Sequence, residues 1–103
     1  MRQQPDIWSP LQIGATTVRH RIMVTGHSPY YAENNLLSDR HIAYYTERAK
    51  GGVALQITAG HAAHRLSHGA SKIGSTAWDK KAIPHFTQLA KSVHKYDSRV
   101  FVQ

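Results

Sequence analysis

Three short apolar runs, separated by two stretches of helical period, organise this chain. The first is Ile22-Met23-Val24-Thr25, an apolar and β-branched run that predicts a strand buried on both faces. It stops abruptly, because Gly26 and Pro29 do not suit a central strand, and His27, Ser28, Tyr30 and Tyr31 follow in a polar, aromatic loop. The second run, Val53 to Thr58, ends likewise in the small and polar residues Ala59, Gly60 and His61, and the third is Arg99 to Gln103. Between the first two, Ile42, Tyr45 and Ala49 fall on one face of a helix predicted over 40–50, with Ser38 or Asp39 as its N-cap and Gly51-Gly52 as its stop. Before the third, Ile83, Phe86, Leu89, Ala90 and Val93 form an apolar stripe, Pro84 stands in the first turn, and Lys91, His94 and Lys95 lie near the end. Outside this core, residues 1–10 read as a polar arm anchored by Trp8. Leu11–Ile13 and Thr16–Val18 form a small hairpin about Gly14-Ala15, and Ala62 to Asp79 form a long loop with room for a short helical turn.

The order strand, helix, strand, helix, strand, with connections long enough for right-handed parallel crossovers, predicts an α/β fold. It fits half of a doubly wound sheet or the first part of a TIM (β/α)8 barrel. A whole barrel takes roughly 250 residues. A chain of 103 residues is therefore expected to be the N-terminal portion of something larger: one partial domain, with 1–20 as arm and hairpin and 21–103 as three strands and two helices. In both architectures the functional face is the rim where the strands end.

Composition narrows the chemistry. Apolar residues make up 41% of the chain, enough for a core, and the absence of cysteine removes disulfides, thiolate metal sites and cysteine nucleophiles. No apolar run reaches signal-peptide or membrane-span length, so a soluble, cytoplasmic protein is expected, with no membrane partner. The formal charge of +7 raises a nucleic-acid module as one alternative, but the basic residues are scattered from Arg2 to Arg99 rather than clustered, which fits a solvated surface. A redox-inactive interaction piece is the other alternative. His61, His64 and His68 could be gathered by one helical face around a metal, yet no carboxylate accompanies them and the segment reads as loop, so no metal is expected. Ser28 beside His27 lacks an acid partner and makes no nucleophile. Gly26, Pro29 and Gly60 alone are ordinary turn punctuation, Tyr44 and Tyr45 read as packing residues, and His85 and His94 as helix-surface residues.

Three segments, in order and covering nearly the whole chain, carry a family resemblance. They are Ser9-Pro10-Leu11-Gln12-Ile13-Gly14 with Val18-Arg19-His20-Arg21-Ile22-Met23; Asp39 to Val53; and Ile83 to Gln103 with its closing Phe101-Val102-Gln103. Together they resemble the N-terminal part of the Old Yellow Enzyme family of FMN-dependent oxidoreductases, which more usually has Asn at position 20. Within it, Thr25-Gly26-His27-Ser28-Pro29 and Ala63-His64-Arg65-Leu66-Ser67 are most similar to the amine dehydrogenases and N-demethylases.

The resemblance implies an FMN-dependent oxidoreductase of the NADH:flavin oxidoreductase type, in which flavin takes hydride from an amine or NAD(P)H. The chain alone is expected to be of low activity or inactive, and its oligomeric state is left open. The resemblance implies that Thr25, Gly26 and Ser28 lie against the flavin, with Gly26 where many members have Pro. Gly60 is implied as a flavin contact, Gln103 as the carboxamide that bonds the pyrimidine edge of the ring, and Tyr30 as a contact to a small-molecule substrate. Some amine dehydrogenases tether FMN through a cysteine in the first-strand loop; Ser28 stands there, so a non-covalent FMN is implied. A pyrimidine ring alternates donors and acceptors, which suits backbone amides and a carboxamide that offers both.

Overall fold

The computed structural model describes residues 5–67 and 74–103. The hairpin comes first: β1 (Leu11–Ile13) pairs antiparallel with β2 (Thr16–Val18), Gln12 opposite Thr17, around Gly14 at a φ of 59°. β3 (Met23–Val24), β4 (Leu55–Ile57) and β5 (Arg99–Phe101) then form a parallel sheet in the order β3-β4-β5. Met23 stands opposite Leu55, and Leu55 opposite Arg99.

Two crossovers fill one side of this sheet. The first helix, α1 (Asp39–Lys50), is capped by Ser38, whose side chain accepts from the His41 N–H at 3.1 Å. Arg48 and Lys50 in its last turn complement the negative end of its dipole. Gly51 stays right-handed, and the left-handed residue of the stop is Gly52, at a φ of 109°. The second helix, α2 (Ile83–His94), follows a single 3-10 turn (Lys80–Ala82) that Asp79 caps, so α2 itself starts with no side-chain cap. Pro84 stands in its first turn, where a missing N–H costs nothing.

The main core lies where these helices meet: Leu37, Ile42, Tyr45, Ala49, Leu89 and Val93 are buried, with Phe86, Tyr96 and Val100 packed against them. A second cluster, Val18, Ala54 and Leu55 with Phe101, joins hairpin to sheet. Each methylene buried in such clusters contributes about 0.8 kcal/mol.

The structure corrects several expectations. The first apolar run is not buried on both faces: Ile22 and Met23 are 41% and 40% exposed, and only Met23 and Val24 are strand. β3 is an edge strand here, and an apolar run reports a preference for burial, not the presence of something to bury against. The second and third strands shrink to Leu55–Ile57 and Arg99–Phe101, with Asp97 at a φ of 56° turning the chain into the last. Ile83, placed in the α2 stripe by its spacing, is 61% exposed, because it opens the helix before the stripe reaches α1. His85 is no surface bystander: it is half-buried and its Nδ1 lies 2.7 Å from the Leu37 carbonyl oxygen, which makes it the donor. Trp8 meets His20 edge-on, ring centres 5.5 Å apart, and stays largely exposed.

Candidate functional site

Gly26, Thr58 and Gln103 bring the ends of all three parallel strands to one point. Gly26 follows β3, and the Gln103 Oε1 stands in the space that a Cβ at Gly26 would fill, with the Thr58 carbonyl oxygen 3.3 Å from the same position. Only a glycine allows that approach. The backbone of Gln103 is tied twice to the segment that follows β4: its N–H donates to Thr58 Oγ1 at 3.2 Å, and its carbonyl accepts from the His61 N–H at 2.9 Å. At Gly60 the opposite holds, since a Cβ there would meet nothing within 4 Å.

Ser28, Tyr30 and Gly60 meet a few residues further out. With His41, Ala59 and Ser75 they line a recess of about 20 Å³, enough for roughly one water molecule. Tyr30 holds a φ of 59°, rare for an aromatic residue, and the residue is 56% exposed beside that recess. Of the six residues predicted for the site, then, Gly26 and Gln103 form one contact and Ser28, Tyr30 and Gly60 another, while Thr25 contributes a backbone oxygen.

That oxygen belongs to a brace. His27 Nδ1 lies 3.0 Å from the Thr25 carbonyl and must donate to it, which leaves Nε2 to accept from the Tyr44 hydroxyl in a short contact. Tyr44 in turn lies under the Arg48 guanidinium, 3.5 Å from its ring centre. The 25–28 segment is thereby fastened to α1. Tyr45 does the same for β4: it is fully buried, and its hydroxyl accepts from the Ala59 N–H at 3.0 Å. Burial pushes that phenol above its ordinary value.

Sequence reasoning gave no role here to Thr58, His41 or Tyr44, and read His61 only as a metal candidate. His41 accepts from the Tyr31 N–H at Nε2, 3.3 Å, while its buried Nδ1 has no partner among the described residues, and burial lowers its pKa. His61 contacts Thr58 Oγ1 through Nε2 at 3.1 Å and Ser75 Oγ through Nδ1 at 2.5 Å, and sits edge-on to Phe86. Burial first, then the nearby His41, lowers its pKa to about 4. Both of its ring nitrogens are engaged; His64 Nδ1 accepts from the Leu66 N–H, and His68 lies outside the described residues. Among the described residues, no group of three His, Cys, Asp or Glu side chains could hold a metal ion. The signal that could have singled out His61 was its place directly after a strand end, since its partners are scattered along the chain.

A three-stranded parallel sheet with helices on one side, its strand ends carrying Gly26, Gly60 and the Gln103 carboxamide, is the N-terminal portion of a TIM (β/α)8 barrel. Residues 6–103 match the NADH:flavin oxidoreductase / NADH oxidase family, and the chain belongs to that family. It is 32% identical to an N,N-dimethylglycine/sarcosine dehydrogenase of Chromohalobacter salexigens, covering 94% of this chain and 14% of that protein. It is 34% identical to a probable N-methylproline demethylase of Rhizobium meliloti, covering 91% of this chain and again 14% of the relative. In three dimensions it superposes on the Old Yellow Enzyme homologue of Zymomonas mobilis with a TM-score of 0.86 at 20% identity, over 96% of this chain and 27% of that one. The chain thus spans a small part of the length of its relatives. Among the described residues, no helix is long and apolar enough to cross a membrane.

Proposed function

We propose that this chain supplies the first flavin-contacting part of the rim in an FMN-dependent oxidoreductase of the cytoplasm that oxidises an N-methylated amine. The observation that carries the reading is the meeting of Gly26 and Gln103 beside the open Gly60. Flat backbone at two strand ends admits an aromatic ring, and one carboxamide packed against the first of them offers a donor and an acceptor to its pyrimidine edge. The residues present therefore fit FMN.

FMN, when bound, supplies the hydride acceptor. The chain's own part is to hold and orient it. Thr25 to Ser28 present a backbone face, Gly60 leaves the neighbouring strand end clear, and Gln103 fixes the ring's rotation. No cysteine is available at the first-strand loop, where Ser28 stands, so the flavin is held without a covalent bond. Tyr30, exposed at a strained backbone position beside the recess, is placed to touch a small substrate such as a secondary or tertiary amine. The amine is favoured over a nicotinamide as first electron donor by the names of the two relatives at 32% and 34% identity. Groups that bind the FMN phosphate and move the substrate proton are assigned to parts of the enzyme outside these residues.

Titration of the purified chain with FMN tests this directly. A saturable change in the flavin absorption and fluorescence is expected, and replacement Gln103→Ala should weaken it about tenfold, the loss of one hydrogen-bonded contact. No saturable change with folded protein would overturn the reading.

A further inference from the structure

The Thr58 hydroxyl sits at the centre of a hydrogen-bond set that no motif announces. It is fully buried. It donates to the Ala59 carbonyl at 3.0 Å, which uses its single proton. Its two lone pairs then face the Gln103 N–H at 3.2 Å and His61 Nε2 at 3.1 Å. Because the hydroxyl has no second proton to give, Nε2 is the protonated nitrogen of the His61 ring, and Nδ1 accepts from the Ser75 hydroxyl at 2.5 Å. The His61 backbone closes the set by donating to the Gln103 carbonyl at 2.9 Å. Every N–H and O–H in it has an acceptor, a condition under which a buried polar network rigidifies.

The set does more than join two strands. The ordinary ladder already joins them, through the Thr58 N–H to the Phe101 carbonyl at 2.9 Å. Beyond Phe101 the last strand has ended, and what continues to hold the chain against β4 is the Thr58 side chain and the His61 backbone. These hold the backbone N–H and the carbonyl oxygen of Gln103, and the carboxamide is then confined by its packing against Gly26. His61 is held in turn by Ser75 on one side and Phe86 on another, so the position of Gln103 depends on residues of the loop after β4 and of α2.

We propose that Thr58 and His61 are positioning residues for Gln103: they clamp its backbone after the strand has ended and so fix where its carboxamide meets the flavin. The assignment rests on the flavin reading for its function and on hydrogen bonds alone for its mechanics. The two parts are therefore tested separately.

The mechanical part is read by amide hydrogen exchange on the full chain, comparing wild type with Thr58→Val, which keeps the shape and removes the hydroxyl. Exchange at the Gln103 N–H should rise about tenfold or more, while exchange at the Thr58 N–H, which belongs to the ladder, should stay within about twofold. A rise at both would mean simple destabilisation, and no rise at Gln103 would mean no clamp; either overturns the proposal. Thr58→Ser keeps the hydroxyl and should restore the wild-type pattern. His61→Phe serves as a second probe and should release Ser75 and raise exchange at Gln103.

The functional part is read in FMN affinity and in the position of the flavin absorption bands. Thr58→Val should weaken binding about fivefold and shift the bands, Thr58→Ser should restore both, and Thr58→Val should add nothing in a Gln103→Ala background. Additive losses would overturn positioning through Gln103. If the wild-type chain takes up no FMN, the flavin reading fails while the exchange data still decide the clamp.

Discussion

The two helices have the same length and pack on each other against one side of the sheet, but they do different work. α2 is held by an apolar stripe: Leu89 and Val93 are buried and it begins without a side-chain cap. α1 buries His41 and Tyr45 among its apolar residues, is capped by Ser38, and sends Tyr44 to the 25–28 segment and Tyr45 to Ala59. The difference shows two ways of supporting one rim: α2 holds by apolar contact, including Phe86 against His61, and α1 also aims by hydrogen bonds. Apolar contact is non-directional and fixes only distance, whereas a hydrogen bond from a peptide N–H to a buried phenol fixes the orientation of that peptide.

That contrast can be broken by mutation, and the largest effect should come from α2. Leu89→Ala removes a side chain that is 1% exposed and should cost about 2–5 kcal/mol in denaturant unfolding. FMN affinity per folded molecule should remain as in wild type. Acid comes next, through His61, which packs on Phe86 of α2 and feels His41 of α1. In the unfolded chain its imidazole takes up a proton as pH falls through 6.5, and in the folded protein it stays neutral down to about 4. The unfolded state binds more protons across that window, so this contribution is full above pH 6.5 and is lost progressively as pH drops toward 4. Urea melts at a series of pH values should show the slope, and His61→Phe should flatten it.

On α1, Tyr45→Phe leaves the Ala59 N–H without its buried acceptor and should cost roughly 1–3 kcal/mol. Here, unlike Leu89→Ala, FMN affinity should fall as well, because the strand end beside Gly60 loses its anchor. Ser38→Ala removes the cap on His41 and the donor to the Tyr31 carbonyl and should cost about 1 kcal/mol. Ile83→Ala is the smallest, within about 0.5 kcal/mol, since that side chain touches little despite its place in the apolar pattern.

The elements whose signal is local were legible from the residues. The hairpin about Gly14, the α1 face of Ile42, Tyr45 and Ala49, the Ser38 cap and the Pro84 start of α2 all depend on neighbours within a turn or two. What was not legible depends on partners far along the chain. The exposure of Ile22 and Met23 follows from the edge position of β3. The roles of Thr58 and His61 follow from bonds to Gln103 and Ser75, and no periodicity records those. The six candidate rim residues were implied by family resemblance; the structure adds which of them lie together, and through what they are held.

The absence of a side chain at Gly26 has a further consequence for how this rim can change. An alanine there would not unfold the protein, because what it displaces first is the end of a flexible side chain, and it would turn the Gln103 carboxamide aside. Positions 26 and 103 are therefore coupled in this chain: a side chain added at one and a change of length at the other act on the same space, with the Thr58 carbonyl beside it.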